Sequence, residues 1–273
     1  MFTIREYAMP ETLDEAYTIL KSRKGNQILG GCAWLRLGKK RINIAIDLTK
    51  CGLDYIREDD EQIEIGAMTS YRSVETSDIL KKYFNGVIAD SVSSIIGTQF
   101  RNTVTVGGSV YGRFGFSDFL TPLLTLDTSV VLYKKGSIPL EKFMMMPYEK
   151  EIIEKIVIKK DGRQSSYQMF RNSRGDFPIL NLAASRTEAG KWIVTVGARG
   201  PKAIRAEKTA SFLSEKLSQN ALKAEDVEAA IQEAGEILVS EVTFTSNMRA
   251  SAEYRRILGK VLLGKAVREV MAC

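Results

Sequence analysis

The sequence predicts an α+β fold of three small units in series. Apolar residues fall at helical spacing in some stretches and alternate over short strands in others. The order of these stretches shows no regular βαβ succession of the kind that builds a doubly wound parallel sheet. At 273 residues and 44% apolar composition, the chain can bury more than one core.

Thr12-Leu13-Asp14-Glu15 reads as a capping box, and Leu13, Ala16, Tyr17 and Leu20 follow at helical spacing. An amphipathic helix is therefore expected over residues 12–24, ended by Gly25. Gln27-Ile28-Leu29 is a short strand running into Gly30-Gly31, and a helical turn follows through Trp34 and Leu37. Ile42, Ile44 and Ile46 alternate with smaller residues, as in a half-buried strand, and complete a unit of residues 1–55.

The second unit, residues 56–160, opens with a hairpin: Tyr55-Ile56-Arg57 and Ile63-Glu64-Ile65 flank the acidic turn 58–61. Val87, Ile88, Val92, Ile95 and Ile96 mark a helix, and residues 103–110 a glycine-bearing strand or loop. Phe119, Leu120, Leu123 and Leu124 mark another helix, before strands at 129–133 and 152–158. Asp161-Gly162 is a turn signal that starts the third unit, residues 161–273. There, strands at 166–170, 179–187 and 191–198 form an antiparallel meander, followed by helices at 211–217 and 224–239. A last helix places Tyr254, Ile257, Leu258, Val261 and Leu262 on one face.

Composition excludes several chemistries. With no histidine, the commonest general base and the commonest transition-metal ligand are both missing, which argues against serine-histidine and zinc hydrolysis. The three cysteines, Cys32, Cys51 and Cys273, show no close pair of the kind used by zinc or iron-sulphur sites. A net charge of +6 comes without any run of five or more basic residues or basic-aromatic alternation, so no nucleic-acid partner is expected. No apolar run approaches the roughly 18 residues of a membrane span, and the first residues do not resemble a secretory signal. A cytoplasmic protein is the expectation.

Two segments place paired glycines after a strand: Ile28-Leu29-Gly30-Gly31-Cys32-Ala33-Trp34-Leu35 and Asn102-Thr103-Val104-Thr105-Val106-Gly107-Gly108-Ser109. Such pairs permit positive φ and can gather backbone N–H groups around a phosphate, or simply make a tight turn. Neither segment matches G-x-G-x-x-G, and no G-x-x-x-x-G-K-[ST] occurs.

The stretch from Ile96 to Asp127, IGTQFRNTVTVGGSVYGRFGFSDFLTPLLTLD, resembles the second flavin motif of the FAD-binding subunits of molybdenum hydroxylases, the xanthine and carbon monoxide dehydrogenase family. Residues 28–35 look like the first motif of that family. Further likeness lies in Gly136 to Phe143, Glu151 to Ile158, and Ser251-Ala252-Glu253-Tyr254-Arg255-Arg256. The resemblance implies a two-unit FAD-binding domain of the vanillyl-alcohol-oxidase (PCMH) type, residues 1–55 and 56–160. A C-terminal α+β flavoprotein domain, residues 161–273, would follow, with an antiparallel sheet and helices. It further implies that FAD is held by Ile28, Leu29, Gly30, Gly31, Cys32, Ala33 and Trp34 on one side. Asn102, Thr105, Gly107, Gly108, Ser109, Gly112, Ser117, Asp118, Ile153 and Arg171 would complete the site. No catalytic residue and no metal ligand is expected in this chain.

In the family pattern Asp118 accepts from ribose hydroxyls, and Arg171 replaces a lysine whose cation favours negative charge on the reduced flavin. Asp118 could instead be a helix N-cap, and Arg171 an exposed cation at a strand end. Cys32 stands where threonine is usual, and Ser109 where asparagine is. Arg113-Phe114-Gly115-Phe116 replaces small residues and proline. Its aromatics either pack internally or face the ring, and the loop is expected near an iron-sulphur partner.

The implied partners are an iron-sulphur subunit carrying [2Fe-2S] clusters, a subunit carrying the molybdopterin cofactor, and an acceptor such as NAD. The alternative is a nucleotide-binding or structural subunit that has lost flavin. A stand-alone flavin oxidase is disfavoured, because no histidine stands beside either glycine segment to anchor a covalent flavin.

Overall fold

A computed structural model describes residues 1–218 and 222–272; Cys273 lies outside them. Among the described residues the fold is α+β with three sheets. The chain divides into two compact units, one made of Met1–Ile79, Gly97–Gly112 and Thr128–Lys159, the other of Leu80–Ile96, Arg113–Asp127 and Lys160–Cys273.

In the first unit, β1 (Thr3–Ala8), β2 (Gln27–Leu29) and β3 (Arg41–Asp47) form a parallel sheet in the order β1-β3-β2. Neither β1 nor this small parallel arrangement is expected from the sequence pattern. Five of the six β1 residues are exposed, so no buried stripe marks the strand. Its strand character comes from pairing with β3, from Thr3 opposite Arg41 to Ala8 opposite Ile46.

The helix Leu13–Ser22 links β1 to β2 and buries Ala16 and Leu20. Thr12 caps it, accepting from Glu15 N at 3.2 Å, while the Glu15 carboxylate reaches back to Glu11 N at 3.2 Å. In β3, Ile42, Ala45 and Ile46 are all buried and Ile44 is half-buried, so both faces are covered and simple alternation is lost.

The second sheet comprises β4 (Ile56–Glu58), β5 (Gln62–Gly66), β6 (Thr128–Leu132), β7 (Gly136–Pro139) and β8 (Ile153–Lys159). It is antiparallel throughout, in the order β4-β5-β8-β6-β7. Ile63, Ile65, Val130, Leu132, Ile156 and Ile158 supply its buried face. The glycine-bearing stretch 103–110, expected as a strand or loop, is instead the end of the helix Thr98–Thr103 followed by the helix Val106–Gly112.

The second unit contains the antiparallel sheet β12-β11-β10-β9, formed by β9 (Gln164–Phe170), β10 (Leu180–Arg186), β11 (Trp192–Gly197) and β12 (Ile204–Arg205). The helices Glu207–Lys216, Ala224–Glu241 and Ala252–Met271 share its core through Leu182, Val194, Leu213, Leu238 and Val267.

The last helix is rotated from its predicted face. Leu258 and Leu262 are buried as expected, together with Leu263, Ala266 and Val270, but Tyr254, Ile257 and Val261 lie exposed. Gly259 explains part of the rotation: a Cβ there would lie 3.3 Å from the Phe244 ring, so the glycine face is the one that meets its neighbours. Among the described residues, no helix is long and apolar enough to cross a membrane.

Candidate functional site

The first glycine segment leaves the end of β2 with two consecutive left-handed residues, Gly31 at φ 68° and Cys32 at φ 57°. A Cβ on Gly31 would lie 2.0 Å from the carbonyl oxygen of Thr103, so the position requires glycine on both conformational and steric grounds. The backbone N–H groups of Gly31, Cys32 and Ala33 make no hydrogen bond among the described residues. Since exposed or half-buried amides still need an acceptor, three consecutive free donors at a strand end are suited to an anion. Burial, reinforced by the charge of Asp47, pushes the Cys32 thiol up, so its sulfur stays protonated as a weak donor.

The second segment is built differently. Gly107 and Gly108 are not among the residues with positive φ; they sit in the first turn of the helix Val106–Gly112. Their role is close approach. A Cβ on Gly107 would lie 2.8 Å from Ala67 Cβ, and one on Gly108 would lie 2.6 Å from the carbonyl oxygen of Gly30. The two glycine segments therefore pack directly on one another.

The amides of the second segment are already used: Gly107 N donates to Ala67 O at 2.7 Å, Gly108 N to Thr105 Oγ1 at 3.3 Å, and Ser109 N to Thr105 O at 3.1 Å. Any anion contact from this side must come from the hydroxyls of Thr105 and Ser109, whose Oγ now donates to Thr105 O at 3.0 Å.

A carboxylate network occupies the second unit. Asp118 is 7% exposed, and its Oδ1 accepts from Arg171 Nη2 at 2.9 Å and from the hydroxyl of Tyr167. Asn181 Nδ2 donates to that hydroxyl at 3.2 Å, and Thr121 Oγ1 donates to Asn181 Oδ1 at 3.1 Å. Burial raises the Asp118 carboxyl above its ordinary value, with Arg171 and Tyr167 opposing the shift. Burial and the neighbouring Asp118 charge push the Tyr167 hydroxyl well above its ordinary value, so it remains a donor.

Two alternatives from the sequence are thereby corrected. The N-cap of the helix Leu120–Leu123 is not Asp118: Ser117 Oγ accepts from Leu120 N at 3.1 Å and satisfies the helix start. Arg171 is not an exposed cation, since its side chain is 7% exposed and it also donates to the carbonyls of Ser94 and Asp176.

The loop expected at a partner surface is packed within the second unit. Arg113, at φ 49°, is 4% exposed, and Gly115 is held so closely that a Cβ would lie 2.7 Å from Gly200 O. Gly115 O accepts from Ala198 N at 2.6 Å. Phe114 and Phe116 stack at 5.2 Å between ring centroids, and Phe116 meets Phe177 at 4.5 Å. Internal packing explains the aromatics of this loop.

The other predicted residues are spread between strand, surface and core. Ile28 and Leu29 are half-buried in β2, opposite Ile46 and Asp47. Trp34 is 44% exposed and Asn102 is exposed. Gly112 O accepts from Tyr148 Oη at 2.8 Å, and Ile153 is buried in β8. The first unit thus contains the predicted residues at 28–34, 102–112 and 153, whereas Ser117, Asp118 and Arg171 belong to the second.

One supporting pair is absent from the sequence expectations. Arg101, with a side chain 7% exposed, donates through Nε and Nη2 to both oxygens of Glu75 at 2.9 and 3.0 Å, clamping the helix Thr98–Thr103 to the helix Tyr71–Thr76. The geometry is bidentate and fixes the residues leading to Thr105. Its signal is an arginine standing alone among the uncharged residues from Ile96 to Gly112.

Comparison with known proteins adds family-level findings. Residues 2–160 match the family model described as the FAD binding domain in molybdopterin dehydrogenase. Residues 165–270 match that of the CO dehydrogenase flavoprotein C-terminal domain. The glyceraldehyde dehydrogenase medium chain of Sulfolobus acidocaldarius is 25% identical, covering 97% of each chain. The 6-hydroxypseudooxynicotine dehydrogenase complex subunit alpha of Paenarthrobacter nicotinovorans is 24% identical, covering 97% of this chain and 94% of that one. In the solved carbon monoxide dehydrogenase from Hydrogenophaga pseudoflava, a chain 22% identical to this one shares its fold, with a TM-score of 0.85 and coverage of 100% and 99%.

Proposed function

The chain belongs to the family of FAD-binding domains of molybdopterin dehydrogenases, and from that premise we propose that it carries electrons between an iron-sulphur partner and a soluble acceptor, NAD being the acceptor of choice. The observation that carries the residue assignment is the row of free N–H groups at Gly31, Cys32 and Ala33, backed by the contact of Gly30 with Gly108. Donors of this kind fit the pyrophosphate of FAD, with the Thr105 and Ser109 hydroxyls as additional partners. Ile28, Leu29, Trp34, Asn102, Gly112 and Ile153 are assigned to the surroundings of the cofactor, and residues 1–55 and 56–160 to its two subdomains.

In the second unit, residues 161–273 are assigned as the C-terminal flavoprotein domain. Asp118 is the proposed acceptor for cofactor hydroxyls, next to Ser117. Arg171, held by Asp118, brings a fixed positive charge. When bound, FAD supplies the electron-transfer chemistry, and the protein's contribution is binding, orientation and electrostatics. None of these roles requires a general acid or base, in keeping with a chain that has no histidine.

A molybdopterin-bearing subunit and a [2Fe-2S]-bearing subunit are the proposed partners. Three cysteines fall short of the four thiolates of one such cluster, so the clusters belong on another chain. The names of the relatives, a medium chain and a subunit of a complex, support a heteromeric assembly.

The test is anaerobic reduction of the FAD-loaded chain, followed by its flavin absorbance. NADH is expected to bleach the flavin of the isolated chain, while organic substrates do so only after the partner subunits are added. A flavin that stays oxidised with NADH but bleaches with a reduced iron-sulphur partner would assign the acceptor role to a molecule other than NAD.

A further inference from the structure

In the second unit, Phe116, Phe177, Pro178, Asn247, Arg249 and Arg255 line a cavity of about 240 Å³. Arg255 is 1% exposed, and every acceptor it meets is neutral. Its Nε donates to Ile179 O at 2.9 Å, Nη1 to Ala250 O at 3.2 Å and to Thr245 O, and Nη2 to Asn247 Oδ1 at 2.7 Å. A guanidinium has five N–H donors, so these four bonds leave one on Nη2.

Arg249 pairs with Asp176 through Nε at 2.9 Å and Nη2 at 2.8 Å, and its guanidinium lies 5.1 Å from the centre of the Phe177 ring. Its Nη1 makes no hydrogen bond among the described residues. The cavity wall thus carries two cations, of which only Arg249 is paired with a carboxylate. Burial and the charge of Arg249 together lower the pKa of Arg255, as expected where a buried cation lacks a counter-ion.

We propose that this cavity binds a small planar carboxylate, with its anionic end on the free donors of Arg249 and Arg255 and its flat face against Phe116 and Phe177. The volume lies below the roughly 300–1,000 Å³ of drug-sized sites, which limits the ligand to about one ring. Bidentate geometry favours a carboxylate for guanidinium donors, and the tilted Phe116–Phe177 pair offers an aromatic wall. Recognition of such a ligand requires no flavin.

Calorimetric titration of the full chain, saturated with FAD, with benzoate tests it. Benzoate is expected to bind in the millimolar range or tighter. Benzamide, of the same shape without charge, and the Arg249→Gln variant are each expected to weaken binding by at least about tenfold. An Arg249→Gln chain that keeps the wild-type melting temperature shows that the loss is local. The proposal is overturned if benzoate gives no heat, if benzamide binds equally well, if Arg249→Gln has no effect, or if benzoate displaces FAD and so competes for the cofactor's own site.

Discussion

Asp118→Ala is expected to destabilise the protein by about 3–5 kcal/mol, the scale for removing one partner of a buried ion pair. The carboxylate is the common acceptor of the buried Arg171 side chain and the half-buried Tyr167, and alanine leaves a guanidinium and a phenol without that acceptor. Asp118→Asn keeps an acceptor oxygen and is expected to cost less, while retaining the fold. Urea denaturation of both variants checks the order. Equal and small losses would mean that the Asp118–Arg171 contact contributes little. The Asn variant also isolates the cofactor role: reduced FAD affinity with near-normal stability is expected, because its NH₂ group cannot replace a carboxylate as a dual acceptor.

Gly31→Ala is expected to raise the FAD dissociation constant by roughly a hundredfold, about 2.8 kcal/mol. Alanine at φ 68° is strained, and its Cβ would lie 2.0 Å from the Thr103 carbonyl, so the loop must move away from the segment that positions it. Gly52 provides the control, since it has φ 67° and a Cβ placed there would meet no atom within 4 Å. Gly52→Ala should show the conformational cost alone, about 1–2 kcal/mol of stability, with FAD affinity unchanged. Fluorescence titration of both variants distinguishes loop displacement from general strain. If the two bind FAD alike, the Gly31–Thr103 contact does not shape the site.

Elements with strong periodicity are legible in the sequence. β2, the hairpin β4–β5, the meander β9–β11 and the two long C-terminal helices lie where spacing and turn residues put them. β1 is not legible because an exposed edge strand carries no buried stripe. The helix Val106–Gly112 escapes detection because the adjacent glycines Gly107 and Gly108 disfavour helix and suggest a loop. Tertiary approach of Ala67 and Gly30 overrides that propensity.

The candidate site is legible as a set of residues but not as chemistry. By composition the two glycine pairs look equivalent. The structure separates them into one segment with free amides and one whose amides are engaged. Nor can spacing show that Asp118 and Arg171, 53 residues apart, form one buried pair. Nor does composition alone reveal the packing of the 113–116 loop: aromatic and arginine residues suit an interface or a core equally, and the internal contacts are seen only in the fit of Gly115 against Gly200 and Pro201.

The central claim is that this chain itself binds FAD, and the most direct measurement is the flavin content of the purified full-length protein. A yellow chain is expected, releasing FAD on denaturation in a ratio near one per chain, with the Gly31→Ala variant largely colourless. A folded wild-type chain that is colourless and stays so after incubation with excess FAD would contradict it.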